Sequence, residues 1–389
     1  MSCRFRHETM LAAVRAWAPH DKCLPPSREQ MKNGERSIIG DCILGRMTAA
    51  AKTPAKALTS SWNAPAEGVS VVVVSYWTGP VLFAAIEAVL AQDQEGVVEL
   101  IMVDNGNPPA VTEELARRAK TEPRLRLVSG HGNIGFTRGC NIGARRAVGR
   151  YLLLLNPDCC LGPGAIPALL AEASVLGDHW MLGCRVVNPD GSEQRGSRRA
   201  LLTPWTALVE AFRLDMLAPR LFRRHRLNHH DDPPPNGTVR IPTISGACMM
   251  LPAATFHAMG GLDEGYFLHV DDLDLCLRLD RAEIAVYYAP HVEVVHYVSS
   301  SGANPVLVEW HKTRGFLRYF WTHFRGPLWF LLWGPLSIGI LARFGIKAMR
   351  LLLHFGWQRL FPSSHPPPHS PPNKNGEHGR THIQAINHD

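Results

Sequence analysis

Residues 151–155 (YLLLL) form an unbroken apolar run that stops at Asn156-Pro157-Asp158. A run this short, cut by Asn-Pro, suits a strand buried on both faces better than a helix. Pro157 has no N–H to give a ladder, so the strand ends there. β-Branched runs at 68–75 (GVSVVVVS) and 97–103 (VVELIMV) predict two more buried strands, and 125–128 a shorter one. Between them, 81–92 and 112–121 carry apolar residues at helical spacing. A glycine-rich stretch, 130–143 (GHGNIGFTRGCNIG), opens a further helix predicted to run through Arg150. This alternation predicts an α/β fold: a doubly wound, mostly parallel sheet with helices on both faces. Ligands of such sheets bind at the carboxyl ends of the strands, which here read Ser75, Asp104 and Asp158.

The pattern changes after Cys160. Residues 165–176 read as a helix, 181–188 as a strand, and Asn188-Pro189-Asp190-Gly191 as a turn. Residues 195–240 are basic, proline-rich and irregular, a stretch that is either disordered or a lid over a site. Its Arg223-Arg224-His225-Arg226 run is a solvated face or a binder of acidic ligands. An apolar segment, 241–251, is broken by Ser245-Gly246. The stretch 272–278 (DLDLCLR) opens a helix, its acids favoured at the positive N-terminal end. Residues 286–289 read as a strand, and 291–301 (HVEVVHYVSSS) bring two histidines close together.

Three features carry candidate chemistry. Asp158, at a strand end, either caps the next segment or pairs with a cation. Five carboxylates (Asp263, Glu264, Asp271, Asp272 and Asp274) flank Tyr266-Phe267-Leu268, and a helix start accounts for only some of them. Crowded carboxylates near apolar side chains have raised pKa values, which suits a general base. His296 is either a structural histidine or a metal ligand. The glycines fit neither G-x-G-x-x-G after the first strand nor G-x-x-x-x-G-K-S/T. They either bring N–H groups to phosphate, with Arg138 adding charge, or let a helix pack closely on the sheet.

Composition narrows the class. The 389 residues are 46% hydrophobic with a net charge of +7, a sequence pI near 9.0 and a mean hydropathy of −0.08. That is a globular chain suited to anionic partners. Nine scattered cysteines without a CxxC pair indicate neither a zinc ribbon nor a disulfide framework, and a reducing compartment fits them. Residues 1–66 read as a disordered extension without a signal peptide, and 361–389 as a disordered Pro/His-rich tail. Between them lie a catalytic region, 67–325, and a hydrophobic helical segment, 326–360. The uncharged core of that segment, 326–342, is slightly short for a span, holds Pro335 and is flanked by arginines and tryptophans. Peripheral attachment to a membrane face is favoured over a single insertion.

Taken in order, VVVVSY (71–76), VDNGN (103–107), NIGFTRGCNIG (133–143), LLLNPD (153–158), SGACMML (245–251), GGLDEGYFLHVDDLDLCLR (260–278) and His296 with 299–301 resemble a family 2 glycosyltransferase of GT-A fold, nearest to rhamnosyltransferase-like members. The resemblance covers about 68–325. Trp77, His269 and Asp271 depart from the usual residues. It implies that Asp104 bonds the nucleotide base and that Asp158, helped by His296, binds Mg²⁺ or Mn²⁺ at the donor diphosphate. It also implies that Asp272 deprotonates the acceptor hydroxyl for inverting attack. Ser75, Tyr76, Asn105, Gly135, Arg138 and Asn141 fall on the nucleotide-sugar side, and Asp263, Glu264 and Asp271 on the acceptor side. The implied partners are a nucleotide-sugar donor, a lipid-linked or glycan acceptor of the cell envelope and the cytoplasmic membrane face, without nucleic acid. A nucleotidyltransferase or a non-catalytic binding module stays open as an alternative. The first would need a glycine-rich basic loop after strand one, which SYWTGP lacks; the second would not need the acids of 271–274.

Overall fold

The computed structural model of the protein describes residues 66–92, 96–298, 302–325 and 329–360. The expectations for 1–65, 299–301 and 361–389 lie outside these residues. The elements, in order, are β1 (Ala66–Ser75), α1 (Val81–Leu90), β2 (Val97–Asp104), α2 (Pro109–Thr121), β3 (Leu125–Val128), α3 (Phe136–Ala144), β4 (Gly149–Leu155), β5 (Cys159–Leu161), α4 (Ala165–Ala173) and β6 (Trp180–Val187). Next come β7 (Arg198–Arg199), α5 (Pro204–Ala211), α6 (Leu214–Leu217), α7 (Pro219–Phe222), β8 (Val239–Arg240), β9 (Thr243–Ile244) and β10 (Cys248–Pro252). The last are α8 (Ala253–Ala258), α9 (Asp271–Arg281), β11 (Ala285–His296), α10 (Pro305–His323) and α11 (Trp329–Leu360).

The large sheet has the order β3-β2-β1-β4-β10-β6-β11-β5, with β8 beside β11. Its first four strands are parallel, as the alternation predicts. β11 also runs parallel to β6, so six of the nine strands share one direction, as expected of a mostly parallel sheet; the three reversed strands are what the alternation did not predict. β10 runs antiparallel to β4 and β6, and β5 and β8 run antiparallel to β11. The Ser245-Gly246 break is where the apolar 241–251 segment divides into β9 and β10.

Period-2 alternation splits β1 between two cores. Val69, Val71 and Val73 face α1 and α4, packing on Leu82, Ile86 and Leu169. Val72 and Val74 face α3, α8 and α9, packing on Cys140, Phe256 and Leu275. A third cluster joins Leu202, Tyr266, Leu273 and Leu277 to Tyr319 and Phe320 of α10, with Leu336 and Ile340 of α11 packed against it. Helices therefore cover both faces of a mixed sheet.

Two local expectations change. The helix opened by the glycine-rich stretch ends at Ala144, and the strand predicted from 151 begins at Gly149. The 195–240 stretch is neither disordered nor irregular throughout. Thr203 caps α5 through the Thr206 N–H (3.1 Å), in a capping box with Pro at the helix start. At the C-terminal end α11 is a long helix holding Pro335. Among the described residues no helix is long and apolar enough to cross a membrane.

Candidate active site

The Asn156-Pro157-Asp158 turn sits between β4 and β5. The Asn156 N–H donates to Ala247 O at the start of β10 (2.9 Å), and the Tyr297 N–H donates to Asp158 O (3.0 Å). Antiparallel pairing sets His296 opposite Cys159, which brings His296 Nε2 to 3.2 Å from Asp158 Oδ1. Gln194 fixes the histidine. Its Nε2 donates to His296 O (2.8 Å), so its Oε1 is the atom left to accept from His296 Nδ1 (2.9 Å). With that proton on Nδ1, Nε2 accepts from Asn156 Nδ2 (3.4 Å) and its lone pair lies beside the Asp158 carboxylate.

One carboxylate oxygen and one imidazole nitrogen, with the other ring nitrogen bonded to an amide oxygen, fit a divalent ion. Asp158, Cys159 and His296 place ligand-type atoms within 4.8 Å of one another. The Cys159 thiol, however, donates to Ala247 O (3.5 Å) in a fully buried setting, so the donor set is Asp158 and His296.

The five acids of 263–274 divide into three braces and one adjacent pair. Asp263 forms a two-oxygen pair with Arg318 of α10 (2.8 to 3.0 Å) and caps the Gly265 N–H (2.8 Å). Glu264 faces Arg138 (3.5 Å) and Arg145 (3.9 Å). Asp274, 1% exposed, is locked by Arg278 (2.7 Å), His323 (2.6 Å) and the Tyr266 hydroxyl (3.1 Å). These three tie loop to helix.

Asp271 and Asp272 remain. They follow His269 and Val270, both in left-handed backbone at φ 65° and 71°. For a β-branched valine this is a strained conformation, held by packing. It sets the first turn of α9 beneath Gly246. Asp272 Oδ2 accepts from Arg199 of β7 and from the Gly246 N–H (3.2 Å), and its Oδ1 accepts from the Leu273 N–H (2.8 Å). Burial pushes this carboxyl up, but the Arg199 charge and hydrogen bond with the two N–H donors outweigh it and leave it below the usual range, which corrects the expectation of a raised pKa at Asp272. Its neighbour goes the other way. Burial and then the Asp272 charge push Asp271 up to about 7. The pair thus splits into an ionised carboxylate and an acid that is still partly protonated at neutral pH.

On the other side of the turn, Asp104 is 3% exposed. Its Oδ1 accepts from the Gly106 and Asn107 N–H groups (3.1 and 2.8 Å) and from Asn107 Nδ2 (2.9 Å); its Oδ2 accepts from Thr112 Oγ1 (2.5 Å). Burial raises its pKa, these donors lower it further, and the carboxyl ends below its ordinary value. The Ser75 hydroxyl donates to Asn107 Oδ1 (3.2 Å). Asn105 accepts from the Ile134 N–H (3.2 Å) and donates to Asn133 (3.1 Å), drawing the glycine-rich loop to the strand tips. Tyr76 lies beside the exposed Trp77, ring centroids 6.5 Å apart.

Gly135, Gly139 and Gly143 serve close packing, whereas Gly130 and Gly132 have open space where a Cβ would go. A Cβ on Gly139 or Gly143 would lie 2.7 or 2.4 Å from Val74 or Val72, and one on Gly135 (φ 91°) 2.8 Å from Phe267. The Asn141 amide is consumed by the loop it braces, bonding Leu262 O and the Leu262 N–H (both 2.9 Å). The structure thus brings Asp158 and His296 together at one pair of strand ends. Asp272 stands one strand away, because Ala247 bonds Asn156 while Gly246 bonds Asp272. Asp263, Glu264 and Asn141 hold the loop between α3, α9 and α10. Sequence reasoning missed Gln194 and Arg199, which lie in and beside an aperiodic stretch; their only signal is a run of polar and basic residues straight after a buried strand.

The strand ends of this mixed α/β sheet gather a carboxylate–imidazole pair and a separate ionised carboxylate, and the class of enzyme follows from the proteins that the chain resembles. The glycosyl transferase family 2 model matches residues 70–241. The N-acetylglucosaminyl-diphospho-decaprenol L-rhamnosyltransferase of Mycobacterium tuberculosis is 30% identical over 273 residues, covering 62% of this chain and 81% of that relative. The low-salt glycan biosynthesis hexosyltransferase Agl10 of Haloferax volcanii is 23% identical over 219 residues, covering 52% of this chain and 59% of its own. Among solved structures, a mannosyltransferase from Pyrobaculum calidifontis in complex with GDP-Man and Mn²⁺ shares 15% identity at a TM-score of 0.45, covering 83% of this chain and 88% of that one. The chain belongs to glycosyltransferase family 2 and is a glycosyltransferase.

Proposed function

We propose that this protein is an inverting, metal-dependent GT-A glycosyltransferase. It moves a hexosyl or rhamnosyl unit from a nucleoside diphosphate sugar to a lipid-linked acceptor in cell-envelope glycan synthesis. The observation that carries the reading is the Asp272 carboxylate, ionised beside Arg199 and one strand from the Asp158–His296 pair. Family membership, and a relative whose name specifies L-rhamnosyl transfer to a decaprenol-linked acceptor, support the donor and acceptor classes.

In this reading Asp272 takes the proton of the acceptor hydroxyl as that oxygen attacks the anomeric carbon. The new C–O bond forms opposite the bond to the diphosphate, which leaves with its electron pair, so the configuration inverts. Asp158 and His296 would hold Mn²⁺, which when bound supplies positive charge to the leaving diphosphate. Asp104, Asn105 and Ser75 shape the base-side tip, and the exposed indole of Trp77 gives it an aromatic rim. Asp271, its pKa pushed up to about 7, carries only part of a second negative charge beside Asp272 at neutral pH.

The protein acts at the cytoplasmic membrane face, held peripherally through α11. That helix exposes Ile338, Leu341 and Met349, while Arg343 and Lys347 pair with Glu309 of α10. The test is transfer from dTDP-, UDP- and GDP-sugars to a polyprenyl-diphosphate-linked sugar, with and without Mn²⁺. Product of inverted configuration from one donor class supports the proposal. Donor cleavage to a nucleotidyl product, or no turnover of any donor, counts against it.

A further inference from the structure

The segment 204–226 has a finished inner face and an unfinished outer one. Thr206 and Val209 of α5 are buried, and Ala207 packs against the cluster of Leu202, Tyr319 and Phe320. The outer side chains contribute nothing to that core: Phe212, Met216, Leu217 and Leu221 are 65 to 76% exposed, and Trp205 and Leu208 are also exposed. Large apolar groups left in water beside a complete core mark a contact surface.

Charge decides what it contacts. Arg213, Arg220, Arg223, Arg224 and Arg226 stand in this segment against only Glu210 and Asp215. Glu210 already pairs with Arg195, and Arg226 with Asp232. Arg220, Arg223 and Arg224 remain around a shallow basin of about 580 Å³, beside the exposed leucines. Apolar side chains that insert and guanidinium groups at the level of phosphates are the two halves of an interfacial contact. A protein partner of ordinary polarity would not call for both.

We infer that residues 204–226 form a docking surface for an anionic phospholipid bilayer, separate from α11. The segment is well placed to pass that contact on. Its base is tied to β7: the Ala200 N–H donates to Leu227 O (2.8 Å) and the His229 N–H to Arg198 O (3.1 Å). β7 also carries Arg199, which holds Asp272. The docking segment and the Asp272 carboxylate thus both bond to β7. The inference stands apart from the proposed reaction, because vesicle binding is read without donor or acceptor.

The experiment is flotation of the full chain with vesicles of phosphatidylcholine alone or with roughly one-third phosphatidylglycerol. Two triple variants accompany it: Phe212→Ser/Leu217→Ser/Leu221→Ser and Arg220→Gln/Arg223→Gln/Arg224→Gln. All these side chains are solvent-exposed, and circular dichroism melting checks each fold. Wild type is expected to float with the anionic vesicles. The apolar variant loses at least about tenfold in partitioning with α11 intact, and the arginine variant loses the preference for anionic over neutral vesicles. If the apolar variant melts early, the arginine variant alone decides. Unchanged partitioning in correctly folded variants overturns the inference and leaves attachment to α11. A wild type that ignores both vesicles but self-associates through these residues overturns it in favour of a second copy.

Discussion

Arg199 and Asp272 form a hydrogen-bonded ion pair between β7 and the first turn of α9, and the Gly246 N–H closes on the same carboxylate oxygen. The pair keeps Asp272 ionised despite burial. The acidic limb of the wild-type kcat/KM profile should therefore lie below the ordinary carboxylate range, with activity flat from mildly acidic to neutral pH. Removing the cation in Arg199→Gln raises the Asp272 pKa, so the limb moves upward by a unit or more and the loss is greater at pH 6 than at pH 8. Arg199→Lys should fall between. A loss equal at every pH would mean that Arg199 only supports the fold.

Asp271 makes a prediction of opposite sign. Its folded pKa of about 7 stands above an ordinary 3.8, so the unfolded chain gives up this proton first. Stability is lost as pH rises from about 4 to about 7, and no further loss accrues above that. Asp271→Asn removes the loss. Its melting temperature should exceed that of wild type by several degrees at pH 8 and converge with it near pH 4. Calorimetry across that range checks both ends.

Gln194 reaches the donor pair from outside. Its Oε1 holds the proton on His296 Nδ1 and so keeps Nε2 available. Gln194→Leu removes that acceptor, and Mn²⁺ affinity by titration calorimetry should fall by roughly 10- to 100-fold, the usual cost of losing such a partner. Asp158→Asn should cost more. Unaltered Mn²⁺ binding in both variants would move the metal elsewhere.

Asn141 and His323 are two of the braces around the loop 260–270 and the start of α9. Asn141→Ala strands the Leu262 N–H and C=O, and His323→Ala leaves Asp274 buried with one partner fewer. Each should lower unfolding stability by about 2–4 kcal/mol. Chemical denaturation measures both. Losses under about 0.5 kcal/mol would mean that water replaces these bonds.

The parallel half of the sheet was legible because burial on both faces writes continuous apolar runs, and its tips at Ser75, Asp104 and Asp158 followed from them. The antiparallel half was less so. β9 and β10 share one apolar segment, and only their pairing with β7 and β4 shows where it divides. α5 was hidden for a different reason: Trp205, Leu208 and Phe212 face outward, so its apolar residues do not follow the pattern of a buried stripe. Asp272 and Asp158 stood out as carboxylates in unusual places. Arg199 and Gln194 did not, because their roles are set by what lies 73 and 102 residues away.

The central claim is that Asp272 is the base. Its most direct test is steady-state transfer by Asp272→Asn, with nucleotide-sugar affinity measured alongside. The substitution keeps size and fold while removing proton acceptance. The account predicts a fall in kcat on the order of 10²–10⁴-fold with donor affinity within about threefold of wild type. Transfer at near wild-type rate by Asp272→Asn would contradict it.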